Sequence, residues 1–298
     1  MTTKDHLRKG ENVSAAHSMI AGGLSGLFAR SCIAPLDTIK IKLQVTPYRE
    51  KGNIIIDIFK REGVRGFWKG NVPGSLMYVV YGGVQFGSYT YFGKIIQANL
   101  NLPPQLHSAV VGSLAGMTSS FFSYPFDVLR TRFAANSQVQ LVKIRHEVKE
   151  IMKVEGIRGF FTSCTSSMIN ISLNASIMFG VYESIKIFSE ENKEFSGLSD
   201  LASPISGMVS KICTFPLDTV RRRVLLRGSH QHHRHEKQAT RDVYISYRDK
   251  RFLNIGAAMV RQEGVMSLYR GLSMALVKSI PSTTISLWSY ELFMKYLS

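Results

Sequence analysis

The chain has 298 residues, of which 45% are hydrophobic and only 19% charged, against roughly 25% charge in a soluble domain, so it does not read as a soluble enzyme. Its formal net charge of +16 leaves two classes open, a nucleic-acid surface or the basic flanks of membrane spans. Three cysteines, Cys32, Cys164 and Cys213, with no CxxC spacing, give neither a metal nor a disulfide framework.

Residues 1–13 are polar, and "MTTKDHLRKGENVS" lacks the apolar core of a secretory signal. A first long helix is predicted over 14–44. It carries Gly22 and Gly26, four apart on one face, which lets a neighbouring backbone approach closely, and it contains "IAPLDTIKIK". A basic loop with a short amphipathic helix leads to "EGVRGFWKG" at Glu62, and a second long helix is predicted over 71–97. Two further units repeat this plan. "FSYPFDVLRTR" around Pro125 and "CTFPLDTVRRR" around Pro216 follow Pro35 at intervals of 90 and 91 residues. "EGIRGFFTS" at Glu155 and "EGVMSLYRG" at Glu263 repeat the second element. The remaining long helices are predicted over 105–134, 164–190, 198–226 and 272–296, giving units of 14–100, 105–192 and 198–298. The third basic loop holds a polar insertion at about 228–248. Its "HQHHRHEK" from His230 reads as a solvated loop rather than a metal site.

The segments Gly70–Gly93 and Gly159–Tyr182 contain no Asp, Glu, Lys or Arg, and each exceeds the about 20 residues a membrane span needs. Both are rich in Gly, Ser, Asn and Tyr, as helices lining a wet cavity would be. The bases are placed one-sidedly: 8 from Lys40 to Lys69, 7 from Arg130 to Arg158 and 12 from Arg221 to Arg270, together 27 of the 37. Such a bias orients a membrane protein and argues against nucleic acid as a partner. The expected fold is therefore an all-α membrane protein with six transmembrane helices in three tandem repeats, both termini opposite the bases.

Each proline helix also places an Asp two residues after Pro and a base five after it: Asp37 and Lys40, Asp127 and Arg130, Asp218 and Arg221. A buried acid is costly unless paired, and topology does not require acids on the basic side three times over. The next bases, Lys42, Arg132 and Arg223, fit a purely topological role equally well. Pro35 itself removes a backbone hydrogen bond and costs a helix interior about 3 kcal/mol. No Gly-rich phosphate loop, no nucleophile with its base and no carboxylate pair at useful spacing supports an enzyme.

Three PxDxx[KR]x[KR] motifs, each followed by an EG element, resemble the mitochondrial carrier family over almost the whole chain. The resemblance implies pseudo-threefold symmetry around a cavity, location in the mitochondrial inner membrane with both termini toward the intermembrane space, and a monomer. It implies a matrix gate of three ion pairs, Asp37 with Arg130, Asp127 with Arg221 and Asp218 with Lys40, braced by Gln44. Ala134 and Leu225 stand where the other braces would be. A cytoplasmic gate of the pattern [FY][DE]xx[KR] is complete only as Tyr182, Glu183 and Lys186. At Tyr290 and Glu291 the base is replaced by Met294, and at Tyr89 both charges are missing. Cardiolipin sites are implied at Trp68, Lys69 and Gly70 and at Tyr269, Arg270 and Gly271; the second repeat has Phe161, Thr162 and Ser163 instead.

Family substrate contacts carry over to Met77 and Tyr78, Asn170 and Ile171, and Lys278 and Ser279, and on the odd helices to Arg30, Ser120 and Lys211. Arg30, Lys211 and Lys278 with Tyr78 suit a small phosphorylated molecule bearing a ring. "RKGENV" at Arg8, "FWKGNVPGSLMYVVYG" at Phe67 and "SIMFGVYESIKIF" at Ser176 resemble the fungal branch of the family that carries thiamine pyrophosphate. The expected function is inner-membrane import of thiamine pyrophosphate in exchange for nucleotides or related phosphates. Another phosphorylated cofactor or nucleotide, such as coenzyme A or a deoxynucleotide, is the alternative, and proton leak a more remote one. No cofactor is expected.

Overall fold

Three prolines lie inside long helices without ending them. A computed structural model describes residues 15–47, 52–100, 103–137, 143–191, 199–229, 238–247 and 250–297. Pro35 lies within α1 (Ala15–Val45), Pro125 within α4 (Pro104–Ala135) and Pro216 within α7 (Ala202–Leu226). Each proline lacks the N–H that would bond the carbonyl four residues back. For Pro35 that carbonyl belongs to Ser31, and the Trp68 indole N–H donates to it at 3.0 Å. A side chain from the following segment thus satisfies the backbone group that the proline leaves open. In the second unit Phe161 occupies the place of Trp68 and has no donor. Its ring instead lies 5.2 Å from that of Phe121, whose carbonyl Pro125 leaves open.

After α1 come the short α2 (Ile54–Glu62), a 3-10 turn over Val64–Trp68 and α3 (Asn71–Asn99). Asn53 caps α2, its side chain accepting from the Ile55 N–H at 3.1 Å. α4 is followed by α5 (Ile144–Val154), a 3-10 turn over Ile157–Phe161 and α6 (Cys164–Glu191). α7 is followed by α8 (Gln238–Tyr247), α9 (Phe252–Glu263), a turn over Val265–Tyr269, α10 (Leu272–Val277) and α11 (Ser279–Leu297). Gly63, Gly156 and Gly264 make the corner between short helix and turn with φ of 68°, 66° and 84°, where a Cβ would be strained. Where one helix is expected over 272–296, the chain breaks at Lys278 between α10 and α11. Pro281 causes the break, because it has no N–H to offer the Val277 carbonyl.

Long helices pack most extensively as α3 on α4, α6 on α7 and α11 on α1, and the proline helices α1, α4 and α7 also touch one another. Their C-terminal ends share one apolar core through Ile41, Val45, Ala134, Val220 and Val224. α8 joins that core. Residues 230–237, which hold the His-rich run, lie outside the described residues, but Tyr244 and Tyr247 just beyond them are wholly buried. The Tyr244 hydroxyl donates to the Val45 carbonyl at 2.7 Å and so caps α1. Part of the insertion is therefore a packed helix that closes over the ends of the proline helices.

All described regular structure is helical, so the all-α expectation stands. The transmembrane expectation does not. No helix among the described residues is long and apolar enough to cross a membrane. At 1.5 Å per residue the 28 residues of α6 are amply long, so apolarity is what falls short. The Gly, Ser, Asn and Tyr of α3 and α6, and the paired charges of α1, α4 and α7, dilute every window. This finding overturns the expectation of six transmembrane helices, of a multi-pass inner-membrane location with assigned sides, and of inner-membrane import as the function.

Trp68→Phe removes the donor to Ser31 and is expected to lower stability by about 1 kcal/mol. Adding Pro35→Ala restores a helical N–H for the same carbonyl, so the Trp68→Phe cost is expected to shrink in that background. Thermal unfolding of the two single variants and the double variant checks it; equal costs in both backgrounds would contradict the substitution of indole for amide.

Candidate functional site

Where the three proline helices converge, three carboxylates and a larger set of bases form one layer. Asp37 Oδ2 accepts from Arg130 Nη2 at 2.7 Å, and its other oxygen, Oδ1, from Lys278 Nζ at 2.6 Å. Asp127 is held by Arg221 and by Arg222, whose Nη1 lies 3.0 Å from Oδ1. Asp218 Oδ2 accepts from Lys40 Nζ at 2.9 Å and from Gln44 Nε2 at 3.3 Å. Lys211 Nζ and Arg222 Nε stand 3.9 Å and 4.0 Å from the oxygens of Asp218. Each acid therefore shares at least two bases. Because a buried ion is tolerable only when paired and hydrogen-bonded, this arrangement is what lets Asp127 and Asp218 remain buried.

A second tier lies beneath, one residue pair per unit. Lys42 pairs with Glu62, Arg132 with Glu155, and Arg223 with Glu263, its Nη2 donating to Oε2 at 2.8 Å. The bases whose role the sequence left open are thus tied to the glutamates of the EG elements in their own units. Arg223 also donates through Nε to the Gln44 carbonyl at 3.1 Å and through Nη1 to the Tyr247 hydroxyl at 3.3 Å. Beside Arg132, burial pushes the Glu147 carboxyl up to about 7, with Glu150 and Glu155 adding to the rise and Arg132 opposing it.

The model described as "Mitochondrial carrier protein" matches residues 11–100, 103–193 and 195–298. The chain belongs to the mitochondrial carrier family. It is 63% identical to the mitochondrial thiamine pyrophosphate carrier 1 of Candida glabrata, with 100% of each chain covered. It is 47% identical to the protein of that name from Saccharomyces cerevisiae, over 99% of this chain and 98% of the other. With that of Meyerozyma guilliermondii it shares 35% identity, over 97% and 96%. Membership of a carrier family is consistent with transport and not with enzymatic function. Family membership also fits a small phosphorylated metabolite as ligand.

Within this chain the residues expected to contact substrate divide into two groups. Lys278, at the break between α10 and α11, and Lys211 of α7 reach the acid layer, while keeping side chains 30% and 39% exposed. Arg30 lies near the same layer, beside Gly74 and Arg130, and its Nη2 has no hydrogen-bond partner among the described residues. Tyr78 rests on α1 at Gly26, where any Cβ would collide with its ring. Met77, Asn170 and Ile171 are half-buried on α3 and α6. Ser279 turns its hydroxyl back to the Ala275 carbonyl at 3.1 Å, and Ser120 meets Ser167 at 3.3 Å.

At the far ends of the helices Lys186 sits over the Tyr182 ring, 5.4 Å from its centre, one turn along the same helix. Glu183 and Glu291 make no ion pair among the described residues, and Tyr290 is half-buried. The bases expected to meet lipid have protein partners: Lys69 reaches the Asn136 carbonyl at 3.0 Å and Glu62, and Arg270 reaches the Thr46 and Pro47 carbonyls at 2.8 Å and 2.7 Å. Gly70 and Gly271 adopt left-handed backbone at φ of 81° and 91°, and Ser163 takes the same conformation at 67°. Tyr269 is half-buried beside Arg270.

Two features escaped the sequence reading. Arg222 bridges Asp127 to Asp218, and the glutamates of the EG elements anchor the second tier. The first carried no signal because neither other unit has a base there. The second was legible in the constant spacing of Pro, the base seven residues later and the EG glutamate.

Asp127→Ala leaves Arg221 and Arg222 without their shared acid and is expected to cost about 3–5 kcal/mol in unfolding free energy. Adding Arg221→Ala is expected to recover only part of it, since Arg222 has still lost its 3.0 Å acid and keeps Asp218 only at 4.0 Å; full recovery in denaturant unfolding would contradict the shared pairing. The raised Glu147 carboxyl favours its protonated form in the folded chain. Its contribution is therefore largest below the unfolded value near 4.5 and is lost as pH rises through about 7. Glu147→Gln is expected to raise the melting temperature at pH 8 by roughly 2–4 °C, with the gain shrinking as pH falls and vanishing below about 4.5. A gain that is independent of pH would contradict this.

Proposed function

We propose that the chain is a carrier for thiamine pyrophosphate, which binds on the open side of the acid layer and is released when that layer parts. Lys278 carries this reading. It is an ammonium held at a helix break, 2.6 Å from a layer acid yet partly open to solvent. Arg30 and Lys211 add positive charge on the same side, which suits a pyrophosphate. Tyr78 offers a ring face to the cationic thiazolium and to the pyrimidine. Met77, Asn170, Ile171 and Ser279 complete the walls. The full-length relatives named as thiamine pyrophosphate carriers support this ligand over other phosphorylated cofactors.

In this proposal each of the three units, 14–100, 105–192 and 198–298, supplies one acid and one base to a gate. The pairs are Asp37 with Arg130, Asp127 with Arg221 and Asp218 with Lys40, and Gln44 braces the last of them. Tyr182, Glu183 and Lys186, with Tyr290 and Glu291, form the weaker closure at the opposite ends. Ligand binding favours parting of the gate only to the extent that it binds the parted state more tightly.

An acidic phospholipid such as cardiolipin is the second ligand in this reading. A pocket of about 370 Å³ lies between the start of α6 and the start of α9, lined by Ser163, Ser166, Arg227, Lys250 and Arg251. Two helix N-termini favour a phosphate there. The base that the second unit lacks beside Ser163 is then supplied by the third unit.

Lys278→Ala is expected to weaken binding of thiamine pyrophosphate at least about tenfold, a loss of about 1.4 kcal/mol. Isothermal titration of the purified chain measures it, with thermal unfolding as a check that the fold persists. Unchanged affinity would overturn the assigned site.

A further inference from the structure

We propose that Tyr81 is a specificity-determining residue of the site: its hydroxyl accepts a hydrogen bond from the 4-amino group of the ligand's pyrimidine, so that the chain selects the ring as well as the phosphates. This rests on the ligand reading above and adds what recognises the end of the molecule farthest from the bases.

α3 sets a ladder of three levels. Gly74 marks the level of the bases, since a Cβ there would stand 2.9 Å from Arg30 Nη2 and 3.2 Å from Arg130 Cδ. Tyr78 lies four residues further along, its ring against Gly26 of α1. Tyr81 follows three residues later, next to it on the same side of the helix. At 1.5 Å per residue Tyr78 stands about 6 Å and Tyr81 about 10 Å beyond the bases. Thiamine pyrophosphate has the same order: charged phosphates at one end, the thiazolium in the middle and the aminopyrimidine at the other end. With the phosphates at Arg30 and Lys278 and the thiazolium at Tyr78, the pyrimidine comes level with Tyr81.

The surroundings of Tyr81 suit that ring. Its hydroxyl oxygen and Ile171 of α6 come together over Gly116 of α4, where an added Cβ would lie 3.7 Å from each. Ile171 gives an apolar wall and the hydroxyl a polar edge, the combination by which small-ligand sites orient a ring. Tyr81 is half-buried, and its hydroxyl has no hydrogen-bond partner among the described residues. The matching position of the second unit differs. Tyr81 stands eleven residues after Gly70 and Asn174 eleven after Ser163, yet Asn174 Oδ1 already accepts from the Ser210 hydroxyl at 2.7 Å and from that of Thr214 at 3.3 Å. The polar atom at this level of α6 is committed to α7, while that of α3 stays available to a ligand. A phenol oxygen accepts readily from an amine. An analogue without that amine leaves the oxygen unpaired beside an apolar wall, which is how a site rejects a ligand that lacks one polar group.

Isothermal titration of the purified full chain at pH 7 tests this with three probes: thiamine diphosphate, its 4-deamino analogue and inorganic pyrophosphate. The wild-type chain is expected to bind thiamine diphosphate at least about fivefold more tightly than the deamino analogue. Tyr81→Phe keeps the ring and removes the oxygen. It is expected to weaken thiamine diphosphate about fivefold, to leave the deamino analogue and inorganic pyrophosphate unchanged, and so to abolish the preference. Gly116→Ala adds a methyl group that makes ordinary contacts and fills the space beside the hydroxyl. It is expected to weaken thiamine diphosphate and spare inorganic pyrophosphate, and it carries the test if Tyr81→Phe does not fold. Unchanged affinity for thiamine diphosphate in the variant that carries the test, or an equal loss for every probe, would overturn the role of Tyr81 and leave the site standing as long as Lys278→Ala weakens binding. Normal binding of thiamine diphosphate by Lys278→Ala would instead overturn the site itself.

Discussion

Asp37, Asp127 and Asp218 lie where three helices close on one another, and a carboxylate there is tolerable only if bases compensate for the water it has lost. The rest of the molecule is arranged so that this compensation is possible. The prolines sit two residues before the acids, in the interiors of α1, α4 and α7. They leave carbonyls open, and in the first unit the Trp68 indole closes one of them. The nearest base of each acid comes from another helix, so each acid is fully satisfied only when the helices are together. Removing the contact between helices would leave three acids and at least six bases in search of partners.

Beneath that layer the three glutamates of the EG elements hold Lys42, Arg132 and Arg223 within their own units. The two tiers therefore do different things. The upper one joins units to each other; the lower one ties each short helix to its long one. A ligand that works on the upper tier can part the units without unravelling any of them. α8 adds a constraint without counterpart in the other units, because Tyr244 binds the end of α1 while Tyr247 meets Arg223. Parting of α1 from α7 must strain or release those contacts.

Much of this was legible in the sequence, for a physical reason: the motif recurs, and a threefold recurrence fixes which positions share an environment. The acids, their distance from proline and five of the six long helices could be read that way, the helices to within four residues at their ends; the sixth is broken at Lys278. What recurrence could not supply was whatever belongs to one unit alone. Arg222 has Ile41 and Thr131 at the matching places, so nothing marked it as a bridge. Tyr244 and Tyr247 lie in an insertion whose polar composition concealed two buried rings. Pro281 was visible nine residues into the helix expected over 272–296, but the prolines of α1, α4 and α7 show that a proline inside a helix does not by itself announce a break. The membrane expectation failed for a different reason. Gly70–Gly93 and Gly159–Tyr182 carry no charge, but their Gly, Ser, Asn and Tyr, which suit helices lining a wet cavity, supply too little apolarity for a span.

At the centre of the account is the claim that a phosphorylated ligand loosens the acid layer rather than bracing it. Hydrogen–deuterium exchange of the purified chain, with and without saturating thiamine diphosphate, reads this directly at the backbone of residues 35–45, 125–135 and 216–226. The expected result is faster exchange in these three stretches when ligand is bound, with α3 and α6 unchanged or better protected. Uniform protection of all three proline helices by the ligand would contradict it.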